Sequence, residues 1–491
     1  GGNNMEQVVV QNFTKQFING KWREGASKGK IESYNPYTGE HLLTIQAASQ
    51  ADLDDAYTAA NEAQQLWETF TLVEKKKCFE QLVAVLVEKR DSIIQWLIQE
   101  AGSTLLKATS EFESALKMVN ESASFLTRIT GQILPSYVPN KENRVYRSAK
   151  GVIGVIGPWN FPFLLSMRSI APAIATGNGV VIKPASDTPV TSGLLFGEIF
   201  DAAGFPKGLV NVIVGRGSEI GDAFVTHPIP SLISFTGSTE VGRRIGELAG
   251  QNLKEVALEL GGNNVMIVLK DANIERAARA AAFGKFMHQG QICMALNRII
   301  VEKEVHDEFV EAFTKIVSNL QAGDPAKKET FIGPLINIQQ VERIQKDIKE
   351  SVAQGATVQL QGGIQGCLVE PIILTNVTND MPIAKNEIFG PVACIIKADN
   401  EQQAIAFAND SQYGLTGSVF TENLHHGVEV AKQIRSGMVH VNDQSVNDEP
   451  HVPFGGEKDS GIGRFNGEWA IDKFTKVKWI GVQSGYREYP I

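Results

Sequence analysis

Gly151-Val-Ile-Gly-Val-Ile-Gly157-Pro-Trp-Asn160-Phe-Pro162, answered downstream by Gly179-Val-Val-Ile-Lys183, is the stretch that decides the fold. Each half is a short apolar run, rich in β-branched residues and stopped by glycine or proline. A strand buried on both faces of a parallel sheet reads this way. The same texture returns at residues 210–214, 232–235 and 256–260 with helical segments between, and that alternation predicts βαβ units. Residues 151–182 carry one charge, Arg168, but Pro158, Pro162, Pro172 and the internal glycines rule out a membrane-spanning helix, so buried strand and loop are expected.

Outward from this core, residues 52–127 place apolar side chains three and four apart (Leu82, Val83, Val85, Leu86, then Ile93, Ile94, Leu97), which predicts long amphipathic helices covering the sheet. Asn19-Gly20, between two strand-like pairs, predicts a tight hairpin. Thr188 is expected to cap a helix ending near Ala203, with Gly204 in the left-handed position after it. A second α/β series starts after Gly261-Gly262, with a strand at 265–268, a helix from about 274 to 287, the loop around Cys293, a strand at 299–301, and further units to Val441. The fold class is therefore α/β with two open parallel sheets. Residues 136–148 and the tail from Val477 are strand-like but belong to neither series; they pair with each other or with another subunit.

With 491 residues, 43% of them hydrophobic, the chain can build two or three domains. Cysteines 78, 293, 367 and 394 form no Cys-x-x-Cys pair and show no metal-ligand spacing with the eight histidines. Neither disulfides nor a metal site is expected, and a reducing cytoplasm fits. A net charge of −9 without a basic run argues against nucleic acid or a membrane surface and for a small-molecule partner. The polar start over residues 1–6 does not read as a secretory signal.

Several residues carry possible chemistry. Cys293, in Met287-His-Gln-Gly-Gln-Ile-Cys-Met-Ala295, sits in a Gly/Gln loop; as a thiolate it would attack a carbonyl if its surroundings lowered its pKa from about 8.5, while the plainer reading is a small packed hydrophobe. Phe235-Thr-Gly237-Ser238-Thr-Glu-Val-Gly242 follows a strand and opens a helix, so it holds a phosphate or is a simple capped turn. Lys183, at a strand's carboxyl end, meets a ribose or phosphate, or solvent. Glu259 is a general base or a solvated strand end. Asn160 is an oxyanion donor or a structural turn amide.

Together the segments Pro158-Trp-Asn-Phe-Pro162, Phe235-Thr-Gly-Ser238, Leu258-Glu-Leu-Gly-Gly262, Gly290-Gln-Ile-Cys293, Glu387-Ile-Phe-Gly-Pro391 and Pro453-Phe-Gly-Gly456 closely resemble the NAD(P)-dependent aldehyde dehydrogenase superfamily, in its order and spacing, from about Phe17 to Trp479. The resemblance implies a Rossmann-like cofactor domain over 1–130 and 150–261, a catalytic domain over 262–460, and a small β oligomerisation element of 131–149 and 477–491, in a homodimer or homotetramer. It implies that Cys293 attacks the aldehyde, that the Asn160 amide and the Cys293 N–H hold the oxyanion, that hydride leaves for the nicotinamide, and that Glu259 activates the water that hydrolyses the thioester. Pro158, Trp159, Lys183, Ser186, Gly237, Ser238 and Gly242 would hold NAD or NADP, with Glu387 on the nicotinamide ribose and Phe389 beside the ring.

The chain departs from its relatives at several points. Ser186 stands where many NAD-preferring members have a glutamate, leaving room for a 2′-phosphate that Arg216 would reach or leave to solvent. A lysine and glutamate that pass protons from the base in some relatives are here Ser169 and Phe465. Phe161, Phe163, Met167, Met294 and Phe454 read as an apolar tunnel or as core, and phrases such as Leu165-Ser-Met-Arg168-Ser look most similar to the benzaldehyde and vanillin dehydrogenase branch. Aromatic aldehydes are the expected substrates. Aliphatic or isoprenoid aldehydes, or a carboxylated semialdehyde anchored by Arg168, are the alternatives. A CoA-acylating enzyme or a non-catalytic relative is less consistent with Glu259, Cys293 and Asn160 all being present.

Overall fold

The computed structural model describes residues 13–491; the polar start over residues 1–6 lies outside them. The expected tight hairpin is a two-residue turn, with Asn19 at φ 54° and Gly20 at φ 76° joining Gln16–Ile18 to Lys21–Arg23. Two left-handed central residues match the right-handed twist of the flanking strands.

The larger sheet runs in the order Lys21–Arg23, Gln16–Ile18, Val210–Val212, Gly179–Lys183, Val152–Ile156, Leu232–Thr236, Glu255–Glu259, Gly461–Ile462. Its five central strands are parallel. The chain winds outward from Val152–Ile156 to Val210–Val212, then returns to the opposite flank. At such a reversal the loops leaving the carboxyl ends of the strands part and open a crevice. The loop from Gly157 to Asn160 and the turn at Gly237-Ser238 leave the two strands that border it.

The second sheet runs Thr357–Leu360, Ile372–Thr375, Val392–Ala398, Leu296–Glu302, Asn264–Val268, Gly417–Phe420, His440–Val441, parallel except at Thr357–Leu360. The Cys293 loop and residues 387–391 enter its strands from their amino ends. They meet the loops at the carboxyl ends of the first sheet, where the Asn160 amide donates to the Gln291 carbonyl at 3.0 Å and the rings of Trp159 and Phe389 lie 5.3 Å apart.

A third, three-stranded sheet pairs Thr475–Gln483 with Lys141–Ala149 along their whole length, with Gln132–Leu134 beyond. The two orphan segments thus pair with each other. Among the described residues no helix is long and apolar enough to cross a membrane.

Two expectations need correction. Residues 151–182 are not strand and loop alone, because Pro162–Ala175 forms a helix whose every residue is buried. Pro162 sits in its first turn, where no donor is needed. The Glu111 carboxylate accepts the Phe163 and Leu164 amides at 2.9 and 3.0 Å, and Pro172 is tolerated near the end. Nor does Thr188 cap the following helix. The buried Glu100 carboxylate accepts from the Val190 amide (3.1 Å), the Thr191 amide (2.8 Å) and the Thr191 hydroxyl (2.6 Å), while Thr188 Oγ1 turns to Ser192. Gly204 does take the left-handed position, at φ 84°.

Candidate active site

The loop bearing Cys293 is held by its backbone. His288, Gln289 and Gly290 are all left-handed, at φ 51°, 58° and 72°. A Cβ on Gly290 would lie 2.2 Å from the Gly390 carbonyl oxygen, so no other residue fits there. The Asn264 amide donates to the Cys293 and Ala295 carbonyls at 2.7 Å each, and the Ser445 hydroxyl to the Met294 carbonyl at 2.6 Å. The thiol is buried. Burial, and then the charge of Glu259, push it well up from its ordinary value. The lowering of pKa on which the nucleophile reading is conditional is therefore not found, and a nucleophilic role for this thiol would require a base to take its proton first.

Under this loop, on the Ile274–Phe286 helix, the Lys285 amine is fully buried without a hydrogen-bond partner, and burial lowers its pKa to about 7. The unfolded amine titrates near about 10.4. Between those values the unfolded chain holds a proton the folded chain lacks, so stability rises with pH across that window and the cost of burying the amine is fully felt below it. Lys285→Met is expected to raise Tm by a few degrees at about pH 6 and by less at about pH 9. Thermal unfolding at both pH values checks this; a lower Tm near pH 6 contradicts it.

Asn160 is anchored from behind by an ion pair the sequence did not reveal. Lys107 Nζ donates to Glu111 (2.6 Å), to the Ser103 hydroxyl (2.9 Å) and to the Asn160 carbonyl (2.7 Å), with both ionic side chains fully buried. Glu111 in turn caps the helix that follows Asn160. The Asn160 amide therefore keeps its place while its second N–H remains for another acceptor.

Cys293 and Asn160 line one cavity of about 240 Å³ with Phe161, Met294, Phe454 and Arg168, as expected, and with Leu164, Leu165, Phe283 and Asp448, which were not. Met167 and Phe163 are not in its wall. Both are wholly buried in the core, and the Phe163 ring stacks on Phe196 with centroids 5.0 Å apart.

Arg168 is buried between the Phe454 and Phe465 rings, 4.4 and 4.7 Å from their centroids. Its Nη2 donates to Glu259 Oε2 at 3.1 Å, and Nη1 lies 3.6 Å from Asp448 Oδ2. Burial outweighs this cation and raises Glu259 to about 7; Asp448 is raised as well. Ser169, where some relatives have a lysine, bonds Ser234 at 2.8 Å instead.

The nucleotide-binding expectations fall along the crevice. Lys183 ends its strand half-buried, with no ion pair among the described residues, and burial lowers its pKa. Pro158 is buried, and Trp159 lies half-exposed against Phe389. Ser238 caps Thr239–Gln251, accepting from the Val241 amide at 3.4 Å, so the free amino end of that helix opens on the crevice. Gly242 instead lies inside the helix, where a Cβ would meet Leu260 at 2.3 Å, a role in helix-to-strand packing. Glu387 accepts from the Gly262 amide at 2.6 Å, and burial raises it to about 7. Phe389 holds a strained φ of 50° beside Arg343, which clamps the Glu387 and Ile388 carbonyls at 3.2 and 2.6 Å. Ser186 is exposed on the turn beyond Lys183, while Arg216 donates to the Lys30 carbonyl at 3.3 Å. An exposed turn, an unpaired lysine and a free helix end suit a dinucleotide.

A doubly wound crevice opening onto a buried cysteine, with a second parallel sheet closing the cleft, is the plan of an oxidoreductase that handles carbonyl carbon. The chain belongs to the aldehyde dehydrogenase family, whose pattern matches residues 22–480. It is 52% identical over 472 residues to a vanillin dehydrogenase from Corynebacterium glutamicum, covering 96% of this chain and 98% of that one. The crystal structure of an NAD-dependent benzaldehyde dehydrogenase from the same species superposes with a TM-score of 0.89 at 49% identity (96% and 97% covered). That of a salicylaldehyde dehydrogenase from Pseudomonas putida G7 complexed with salicylaldehyde does so with 0.94 at 34% identity (97% and 99% covered).

Proposed function

We propose that the protein oxidises small aromatic aldehydes to their carboxylic acids with NAD as the acceptor. The observation that carries this is the cavity leading to Cys293. At about 240 Å³ it falls below the roughly 300–1,000 Å³ of sites for drug-sized ligands, and its walls are largely aromatic and aliphatic. Its one cation, Arg168, is already met by Glu259 and Asp448, which leaves no net positive charge to draw a carboxylated semialdehyde. The names borne by the relatives described above support the same substrate class.

Cys293, after losing its proton to a base, attacks the aldehyde carbon. The oxyanion that forms accepts hydrogen bonds from the Asn160 amide and the Cys293 N–H. NAD bound in the crevice would supply the acceptor for the hydride of this carbon. The chain's own part there is to seat the nucleotide with Pro158, Trp159, Lys183, Ser186, Gly237 and Ser238 and to orient its reactive end with Glu387 and Phe389. The resulting thioester loses its acyl group to a water whose proton Glu259 takes, so one hard oxidation becomes two easier steps. Ser186 sets no carboxylate against a 2′-phosphate, so NADP is accepted as well.

In this reading the described part of residues 1–130, with 150–261, makes up the cofactor domain, and 262–460 the catalytic domain. Val477 and Trp479 are 62% and 66% exposed on one face of the three-stranded sheet, an apolar surface suited to a homodimer or homotetramer. Four unpaired cysteines fit a cytoplasmic setting.

The test is reduced-cofactor absorbance with benzaldehyde, vanillin, hexanal and succinic semialdehyde, each with NAD and with NADP. Turnover of the two aromatic aldehydes well above hexanal is expected with NAD, and measurable turnover with NADP. A preference for succinic semialdehyde would overturn the substrate assignment, and a requirement for CoA would overturn hydrolysis.

A further inference from the structure

Glu259 and Asp448 share a single guanidinium. Arg168 reaches the first at 3.1 Å and the second at 3.6 Å, and the rings of Phe454 and Phe465 leave it no other place to go. Asp448 is itself held, since Asn466 Nδ2 donates to its Oδ1 at 2.8 Å. The remaining groups whose charge bears on Glu259 are Arg464, on the segment after Gly461–Ile462 and already paired with Glu457 at 2.5 Å, and Cys293. Glu259 Oε1 has no hydrogen-bond partner, and neither have Nε and Nη1 of Arg168. One cation against a fully buried carboxylate, Glu259, and a largely buried one, Asp448, leaves a negative charge in excess when all are ionised. Such a cluster is held by sharing rather than by a saturated pair.

We infer that Asp448 is a positioning residue for the hydrolytic step: by holding one arm of Arg168 it keeps Glu259 from being fully claimed by the guanidinium, so that this carboxylate stays free to take a proton from the attacking water. The inference rests on the reading of Glu259 as the base. In that step an O–H bond of water breaks as its oxygen joins the thioester carbonyl, and the proton passes to Glu259. The C–S bond then breaks with its electron pair left on the Cys293 sulfur, and nothing is oxidised or reduced. Arg168 stays protonated throughout and acts by charge alone. Without Asp448 its whole charge falls on Glu259, which then ionises more readily and is a weaker base. Without Arg168 the carboxylate is buried unpaired and holds its proton to higher pH.

The experiment forms the acyl-enzyme from benzaldehyde and NAD, jumps it to a series of pH values, and follows thioester decay, with rates normalised to the burst of reduced cofactor so that only folded, active sites are counted. In the unsubstituted enzyme decay is expected to rise with a midpoint near pH 7, because burial raises the Glu259 carboxyl to about 7. Asp448→Asn keeps the acceptor for Asn466 and removes the charge; it is expected to move the midpoint down by about one pH unit and to slow the plateau several-fold. Arg168→Met is expected to move it up by about as much, and Asp448→Glu to restore the original position. If the Asn and Met variants both keep the original midpoint while Glu259→Gln still blocks decay, the inference is wrong and the base stands. If Glu259→Gln decays like the unsubstituted enzyme, the base reading fails and takes the inference with it.

Discussion

Cys293→Ala is expected to lose aldehyde oxidation by roughly 10⁴-fold or more, because without the sulfur no covalent adduct forms and the remaining groups act on nothing. The fold should survive. Cys293 is held through its backbone, by the Asn264 amide on its carbonyl, and the side chain makes no hydrogen bond that alanine would break. Removing a small buried sulfur costs little beside the core of the two sheets. Circular dichroism and thermal unfolding should match the unsubstituted enzyme, and the dinucleotide should still bind. Normal turnover by this variant would end the covalent account.

Glu259→Gln separates the two halves of the reaction. Glutamine keeps the shape and an acceptor for Arg168 Nη2 but cannot take a proton, so hydrolysis should slow by about 10²–10⁴-fold, as for the loss of a general base. The first half-reaction forms the thioester, so rapid mixing should show a burst of reduced cofactor approaching one per active site, followed by slow turnover. Absence of any burst, with Cys293 intact, would mean that Glu259 is needed before the thioester, as the acceptor of the thiol proton. The raised thiol makes that a distinct outcome worth resolving.

How legible this was in the sequence depended on the range of each interaction. The central strands could be read because β-branched runs bounded by glycine and proline are a local signal. The same local signal hid the Pro162–Ala175 helix, since a helix buried on every side shows no polar stripe and its prolines read as breakers. That omission explains the misplaced tunnel wall. On a helix Phe161, Leu165 and Arg168 fall on one face with Leu164, while Met167, a residue from Arg168, turns toward the core. Lys107 and Glu111 carry the i, i+4 spacing of a helical ion pair, but nothing local says that the pair is buried beneath Asn160. Asp448 could not have been read at all, because its partner Arg168 is distant in the chain and only the fold brings them together. The assignments of the nucleotide and nucleophile segments rest on family resemblance rather than on their own patterns.

The central claim is a thioester on Cys293. It is tested most directly by mixing the Glu259→Gln enzyme with benzaldehyde and NAD, quenching in acid within the burst, and weighing the peptides. One benzoyl group on the peptide that contains Cys293, absent when NAD is left out, is the result this account predicts. An unmodified Cys293 in enzyme that has nevertheless reduced its cofactor would contradict it.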